Sequence, residues 1–205
     1  MTISASNNQG QGERHRIDLS YDASGRLSMA TDTFMGGTKT VLAFQYDIND
    51  RIIDKQETTS LTTPYLKRNT YAYDTKGRLI ADTTYSYWSN DIFEYITYTY
   101  DASDNITEEK TFRKSATGFQ LEQFLHLQYD GHPNPFYSFR NQLYYLPGYV
   151  YGAEQCLSRN NAIKVSYSSG TIVTNTYHYS TNGFPQHYVS VANTDPLETS
   201  YGFFY

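Results

Sequence analysis

The sequence predicts an all-β fold: an antiparallel meander of tandem β-hairpins that forms one curled sheet or an incomplete barrel. Three observations support this prediction. The 205 residues include 22 Tyr and 11 Phe, which suit the half-buried surface of a sheet. A Tyr-Asp pair recurs five times between residues 21 and 130. Apolar and polar residues alternate beside these pairs, as they do in strands with one buried face.

Four copies of the repeat contain the same tight turn. They read YDASGRL at 21–27, YDINDRI at 46–52, YDTKGRL at 73–79 and YDASDNI at 100–106. The turn Asp can accept hydrogen bonds from backbone N–H groups two and three residues later. The last turn position favours positive φ, which suits Gly25 and Gly77 and is tolerated at Asp50 and Asp104. The motif therefore predicts a hairpin with a type I turn and a G1 bulge.

The turn also predicts the register of each hairpin. Pairing Tyr21 with Leu27 places Leu19 opposite Met29 and Ile17 opposite Thr31. One face then carries Ile17, Leu19, Tyr21, Leu27 and Met29, and the other carries Asp18, Ser20, Arg26, Ser28 and Ala30. The same arithmetic pairs Tyr73 with Leu79, Tyr71 with Ala81, and Tyr100 with Ile106. About ten to twelve strands are expected, a number at which an open sheet curls.

Residues 131–162 interrupt the repeat, and contain three of the six prolines. Within them, Phe136, Phe139, Leu143 and Leu146 recur at helical spacing and predict a short helix. Regular alternation returns after residue 162, with a weaker repeat copy at 179–183. We therefore expect a flexible segment at 1–12 and a single β domain at 13–205, with a non-repeat excursion at 131–162.

The motifs YDASGRL and YDTKGRL resemble the YD repeats of Rhs-type, toxin-shell and teneurin-like proteins, over residues 17–130 and 177–190. The excursion, with Asn134-Pro135-Phe136 and Asn160-Asn161, is similar to small predicted lipoproteins of Gram-negative bacteria that carry YD-like hairpins. The resemblance implies an array of antiparallel hairpins. Six repeats are too few to enclose a protein toxin, and strand-like sequence runs nearly to Tyr205. We therefore expect no toxin activity.

Charge and composition narrow the partners and the compartment. The 16 Lys and Arg against 21 Asp and Glu give a net charge of −5, which argues against nucleic acid. No apolar stretch approaches the ~18 residues of a membrane span. Residues 1–12 lack the apolar core of a secretory signal, so the protein is either cytoplasmic or a mature segment whose signal was removed. Their polar composition resembles the tether after a cleaved or lipid-modified N-terminus and favours the second alternative. We expect an extracytoplasmic location, in the periplasm or at the outer-membrane surface, with a lipid anchor upstream of the numbered chain.

No set of residues predicts catalysis, a cofactor or a metal. The single cysteine, Cys156, excludes an internal disulfide and suits a buried position. The predicted register places Tyr177 opposite His187, so His178 and His187 point to opposite faces and cannot share an ion. Glu94, Glu108 and Lys110 are expected together at the rim of the core face. The Arg residues that follow the turns should pair with the turn Asp or stack on a Tyr.

Aromatic side chains outside the repeat pattern are the candidate binding residues. Trp88, Phe93 and Tyr95 have the parity opposite to the core positions Ile96 and Tyr98, which predicts an exposed face able to stack on a sugar or a protein. The alternative is that these rings pack beneath the excursion. The second candidate set lies in the excursion, because long loops are often functional: Tyr144, Tyr145, Tyr149 and Tyr151.

We therefore predict a non-catalytic, extracytoplasmic β-repeat module that binds a glycan or another surface protein, or has a structural surface role. Two alternatives belong to other classes. The first is a glycan-active enzyme, which requires two carboxylates about 5–10 Å apart in an aromatic cleft. The second is an interaction module that pairs through an open sheet edge or dimerises.

Overall fold

The chain folds into one open antiparallel sheet. A computed structural model describes residues 2–5, 15–33, 37–60, 66–86, 90–140, 145 and 153–202. They form 14 strands that lie in the sheet in sequence order, so each hairpin is followed by the next. Within the described residues the first and last strands do not pair, and the sheet is not closed into a barrel. The predicted all-β meander is confirmed, with more strands than the ten to twelve expected.

The element boundaries are as follows. The strands are β1 Thr2–Ala5, β2 His15–Tyr21, β3 Leu27–Thr33, β4 Lys39–Tyr46, β5 Ile52–Thr59, β6 Leu66–Tyr73, β7 Leu79–Tyr85, β8 Ile92–Tyr100, β9 Ile106–Ser115, β10 Gly118–Pro133, β11 Asn160–Tyr167, β12 Ile172–Tyr179, β13 Pro185–Ala192 and β14 Asp195–Gly202. A 3-10 turn spans Tyr137–Phe139, inside the predicted helix, and a short helix, α1, spans Ala153–Cys156.

The turns have the predicted geometry. Gly25 and Gly77 have φ of 79° and 80°, and Asp50 and Asp104 have φ of 59° and 66°. The Oδ1 atom of Asp22 accepts hydrogen bonds from the backbone N–H groups of Ser24 and Arg26, both at 2.9 Å. The acceptor pattern therefore spans two and four residues, not two and three. It recurs in the turns of the next three repeats.

The register beyond each turn differs from the prediction. Tyr21 pairs with Leu27 as predicted, but Ser20 pairs with Met29, so β3 contains one extra residue. Leu19 therefore lies opposite Ala30 and Ile17 opposite Asp32; the predicted partners, Met29 and Thr31, were wrong. Tyr71 likewise lies opposite Asp82 and not Ala81. A bulge of this kind turns all later side chains of the strand to the other face.

The bulge decides which side chains are buried. Ala30 and Asp32 are buried on the inner face of the sheet, whereas Met29 is exposed. Tyr21, which was predicted in the core, is also exposed, because it belongs to the first repeat copy and follows no earlier one. Four described residues of the excursion join the core cluster of the inner face: Tyr145, Ala153, Cys156 and Leu157. The described part of the excursion thus covers the inner face, and Cys156 is buried as predicted.

Hydrogen bonds and ring contacts link each repeat to the next, an arrangement that we call the Tyr–Arg ladder. Each Tyr hydroxyl donates to a carbonyl of the preceding repeat: Tyr46 to Leu27 at 2.7 Å, Tyr73 to Ile52 at 2.6 Å, and Tyr100 to Leu79 at 2.8 Å. The preceding Arg lies over each ring: Arg26 on Tyr46, Arg51 on Tyr73, and Arg78 on Tyr100, at 4.7–4.9 Å. Each Arg also bonds its own turn Asp, so both predicted contacts occur together.

The ladder predicts alkaline unfolding. Burial raises the pKa of Tyr46 and of Tyr73 to about 12, from an ordinary value of 10.0. The folded state therefore keeps protons that the unfolded chain loses, and the free energy of unfolding should fall between pH 10 and about 12 and stay unaffected by these groups below that range. Circular dichroism and tyrosinate absorbance should change together. Titration of both tyrosines near pH 10 without loss of structure would contradict this prediction, and Tyr46→Phe/Tyr73→Phe should reduce the alkaline sensitivity.

Candidate ligand-binding groove

A β-bulge at the start of β8 positions Phe93. Thr84 pairs with Glu94 and Tyr85 with Ile92, so Phe93 is an extra residue between them. Bulges redirect side chains, and the Phe93 ring lies beside the Arg113 guanidinium, whose central carbon is 5.4 Å from the ring centre. The Phe93 side chain is 44% exposed. One aromatic ring is therefore held in contact with a cation and still reaches solvent.

Arg113 joins three strands by ion pairs. Its Nη2 atom lies 2.8 Å from Glu94 on β8, and its Nη1 atom lies 2.7 Å from Glu122 on β10. The hydrogen bond to Glu94 is the largest of the effects that raise the pKa of Arg113 above its ordinary value. Because all three side chains are partly exposed, each ion pair adds little stability. The arrangement fixes the direction of the guanidinium more than it stabilises the fold.

Two open cavities meet at Glu94 and Arg113, and together we call them the rim groove. One measures ≈ 390 Å³ and is lined by Lys67, Thr84, Tyr85, Ser86, Phe93, Glu94 and Arg113. The other measures ≈ 540 Å³ and is lined by Glu94, Ile96, Thr111, Arg113, Glu122, Gln123, Ser168 and Ser169. Each has the size of a small-molecule site. The lining combines aromatic rings, hydroxyls, an amide and both signs of charge.

Tyr95 lies on the outer face of the sheet, away from the described part of the excursion. It pairs with Thr83 on β7 and with Phe112 on β9, and the pairing is unbroken from Tyr95 to Tyr98. Because Tyr98 is buried on the inner face and lies three residues later, Tyr95 points to the outer face. Its ring stacks on Phe112 at 4.7 Å and meets the edge of Phe119 at 5.0 Å. The parity prediction holds for Tyr95. The parity prediction was wrong in placing Phe93 on the same face, because it did not include the bulge at Phe93.

Tyr145 is a core residue and not part of an exposed binding surface. Its side chain is 2% exposed. Its hydroxyl lies 2.7 Å from that of Tyr73, and its ring meets the edge of Tyr71 at 4.7 Å. The ring therefore fills the inner face of the sheet. The other predicted aromatic residues lie outside the described residues: Trp88, Tyr144, Tyr149 and Tyr151.

The predicted cluster of Glu94, Glu108 and Lys110 does not form. Glu108 pairs with Lys110 at 2.6 Å, and its strand neighbour Glu109 lies opposite the buried Tyr98. Glu108 therefore points to the outer face, away from Glu94. The cause is the bulge after Ile106, which reverses the parity of β9.

The same kind of bulge brings His178 and His187 together. The two residues pair directly, and their rings stack at 4.3 Å with 12° between their planes. The prediction that they point to opposite faces was wrong. In the part of the chain that the structure describes, no group of three metal-ligating side chains occurs. The imidazoles form a stacked cross-strand pair.

Residues of the excursion end the Tyr–Arg ladder, and the sequence prediction missed them. The Ser158 hydroxyl donates to the Tyr129 hydroxyl at 2.7 Å and accepts from the Ile106 N–H at 3.1 Å. Asn160 exchanges two hydrogen bonds with Asn105, at 2.8 and 3.0 Å. The available signal was Asn105 itself, which stands where the earlier copies have Arg.

Among the described residues, no helix is both long and apolar enough to cross a membrane.

The fold and the groove define an open β-meander protein with a partly aromatic groove at its rim. No family model and no curated protein sequence matches the chain. A porin-like protein from Bacteroides vulgatus is similar, with 13% identity and a TM-score of 0.53, over 97% of this chain and 94% of that one. A porin-like protein from Bacteroides uniformis has 15% identity and a TM-score of 0.49, over 98% of this chain and 91% of that one.

A chain of the Photorhabdus luminescens Tc holotoxin pore also matches, with 14% identity and a TM-score of 0.30. The match covers 92% of this chain and 10% of the toxin chain. At these identities the comparison with the Bacteroides vulgatus protein shows a shared fold.

Proposed function

We propose that the chain is a non-catalytic module that binds carbohydrate in the rim groove and acts outside the cytoplasm. The observation that supports this proposal best is the exposed Phe93 ring beside Arg113. Sugar rings have apolar C–H faces that stack on aromatic rings, and hydroxyl groups that bond to polar side chains. A groove with a stacking ring and a few convergent polar groups suits such a ligand. The extracytoplasmic part rests on the resemblance to small YD-repeat-like lipoproteins.

The arrangement of carboxylates supports binding over hydrolysis. Glu94 and Glu122 both accept hydrogen bonds from Arg113, so the guanidinium occupies the space between them. A glycosidase instead places its two carboxyl groups on either side of the scissile bond, with room for the sugar between them. We therefore rank the glycan-active enzyme below the binding module, and the release of reducing sugar from a bound glycan would reverse this order.

The test is a glycan array followed by calorimetry on the hits. We expect Phe93→Ala to weaken binding tenfold or more, which corresponds to about 1.4 kcal/mol. Arg113→Ala should have an effect of similar size, because the oriented donors are lost. Phe184→Ala is the matched control, since this ring is 47% exposed and lies at the β12–β13 turn. If the wild-type protein binds no glycan, or if Phe93→Ala binds like Phe184→Ala, the proposed site is wrong.

A further variant distinguishes the two faces of the sheet. Tyr95→Ala changes the outer face and leaves the lining of the rim groove intact. We expect it to retain binding. Loss of binding in Tyr95→Ala, with Phe93→Ala unaffected, would move the site to the outer aromatic surface.

A further inference from the structure

The first half of β10 has an open edge in the middle of the sheet. β10 pairs with β9 along Gly118–His126, but with β11 only from Leu125 onward. The β11–β12 turn ends level with Phe124, where the Ser168 N–H donates to the Phe124 carbonyl at 2.9 Å. Within the described residues, the stretch 118–123 has no strand on that side, and all six residues are exposed. β9 and β10 therefore form a ribbon that extends past its neighbour.

The open edge carries apolar side chains on one face. Phe119 is 40% exposed and Leu121 is 48% exposed, and Leu121 pairs with Phe112 of the outer face. Phe119 and Leu121 continue the aromatic cluster of Tyr95 and Phe112 toward the edge. Between them, Gln120 has the opposite parity. Soluble proteins protect long, apolar edge strands because another strand can pair with them.

We propose that residues 118–122 pair antiparallel with the same residues of a second copy of this chain. The two-fold axis passes through Gln120, so Phe119 of one copy faces Leu121 of the other. An edge with apolar side chains one residue on each side of Gln120 is complementary to itself, as a two-fold interface requires. Aromatic and aliphatic side chains that face each other across strands stabilise a sheet.

Charge is compatible with this pairing. The Glu122 carboxylate accepts a hydrogen bond from Arg113. Arg113 pairs with Glu94 on the inner side of the ribbon. The acidic groups of the two copies therefore lie on the inner side and do not meet on the apolar face. The outer aromatic clusters of both copies would then form one continuous apolar layer. An interface of this length lies below the ~1,200 Å² of a standard complex. The dimer should therefore be weak and should depend on protein concentration.

Sedimentation velocity of the purified chain from low to high micromolar concentration tests the proposal. We expect a reversible shift from monomer to dimer, and at least tenfold weaker association for Leu121→Lys, which places a charge on the edge. Ile48→Lys is the matched control, because Ile48 is 96% exposed in the β4–β5 turn. Circular dichroism verifies that both variants fold. A wild-type chain that stays monomeric throughout, or Leu121→Lys that associates like wild type, would overturn the proposal.

Cross-linking tests the register. Gln120→Cys places two thiols next to each other at the two-fold axis, so mild oxidation should yield a covalent dimer. Gln123→Cys lies three residues from the axis and should remain monomeric. The native Cys156 is fully buried and should not interfere. Equal cross-linking of the two variants would contradict the register. Glycan binding by Leu121→Lys is measured in parallel, so failure of this proposal is distinguishable from failure of the rim groove.

Discussion

Replacing Tyr145 with alanine is expected to lower the free energy of unfolding by about 3–5 kcal/mol, the range for large buried side chains. The ring is enclosed between the sheet and the excursion, in edge contact with Tyr71. Its removal leaves a cavity that the packed inner face cannot close, and removes a hydrogen-bond partner of Tyr73. The folded fraction should bind glycan as the wild type does, because Tyr145 does not line the rim groove.

Urea unfolding at neutral pH measures this loss. Tyr145→Phe separates the hydroxyl from the ring: it should cost only about 1 kcal/mol, the usual contribution of one hydrogen bond. The Tyr73 hydroxyl keeps its bond to the Ile52 carbonyl in either variant. A Tyr145→Ala protein of wild-type stability that has lost its glycan affinity would show that Tyr145 belongs to the binding site after all.

Arg78→Ala is expected to destabilise the protein by about 2–4 kcal/mol, from the loss of charge-assisted hydrogen bonds and a cation–π contact. Arg78 bonds its own turn through Asp74 and the next turn through Asp104, and lies over the Tyr100 ring. Its side chain is mostly shielded from solvent, so these contacts are screened less than those of an exposed pair. Urea unfolding of the variant measures the total effect.

Arg51→Ala is the matched control for the link between turns. Arg51 has the same contacts with its own Asp47 and with Tyr73, but the next turn has Gly77 where Asp104 stands one repeat later. We therefore expect Arg51→Ala to cost about 1 kcal/mol less, the upper value for one partly exposed ion pair. A double-mutant cycle of Arg78→Ala with Asp104→Gly isolates that bond. A coupling energy of zero would mean that the turns do not stabilise each other.

The repeat turns were predictable because their chemistry is local. The five residues after the Tyr contain the turn Asp, both N–H groups that donate to its side chain and the position with positive φ. The pairing of Tyr21 with Leu27 therefore follows directly. The extra residue in the second strand was not predictable from hydrophobic alternation. The inner-face position after the bulge carries a different residue type in each repeat: Ala30, Lys55, Asp82 and Glu109.

Buried polar groups on the inner face explain why the alternation of apolar and polar residues predicted the wrong register beyond each turn. Asp82 is buried and accepts a hydrogen bond from Asn69 at 2.9 Å, and burial lowers the pKa of the Lys55 ammonium group. These residues read as solvent-facing in the sequence. The candidate groove was hidden for a different reason: Phe93, Arg113 and Glu122 lie on three strands, and the Phe93 bulge leaves no pattern in its own strand.

The Tyr–Arg ladder makes the sheet compatible with a different number of hairpins. Each Tyr reaches one repeat back and each Arg reaches at least the next ring forward, so the internal hairpins share these two contacts. A hairpin of 27 residues could be inserted between 52 and 79 with the ladder contacts re-formed in the same register, as in other repeat proteins. The last copy is different, since Asn105 fits only beside Ser158 and Asn160. The ladder contacts thus allow the number of hairpins to change, whereas the terminating segment fits the last copy alone.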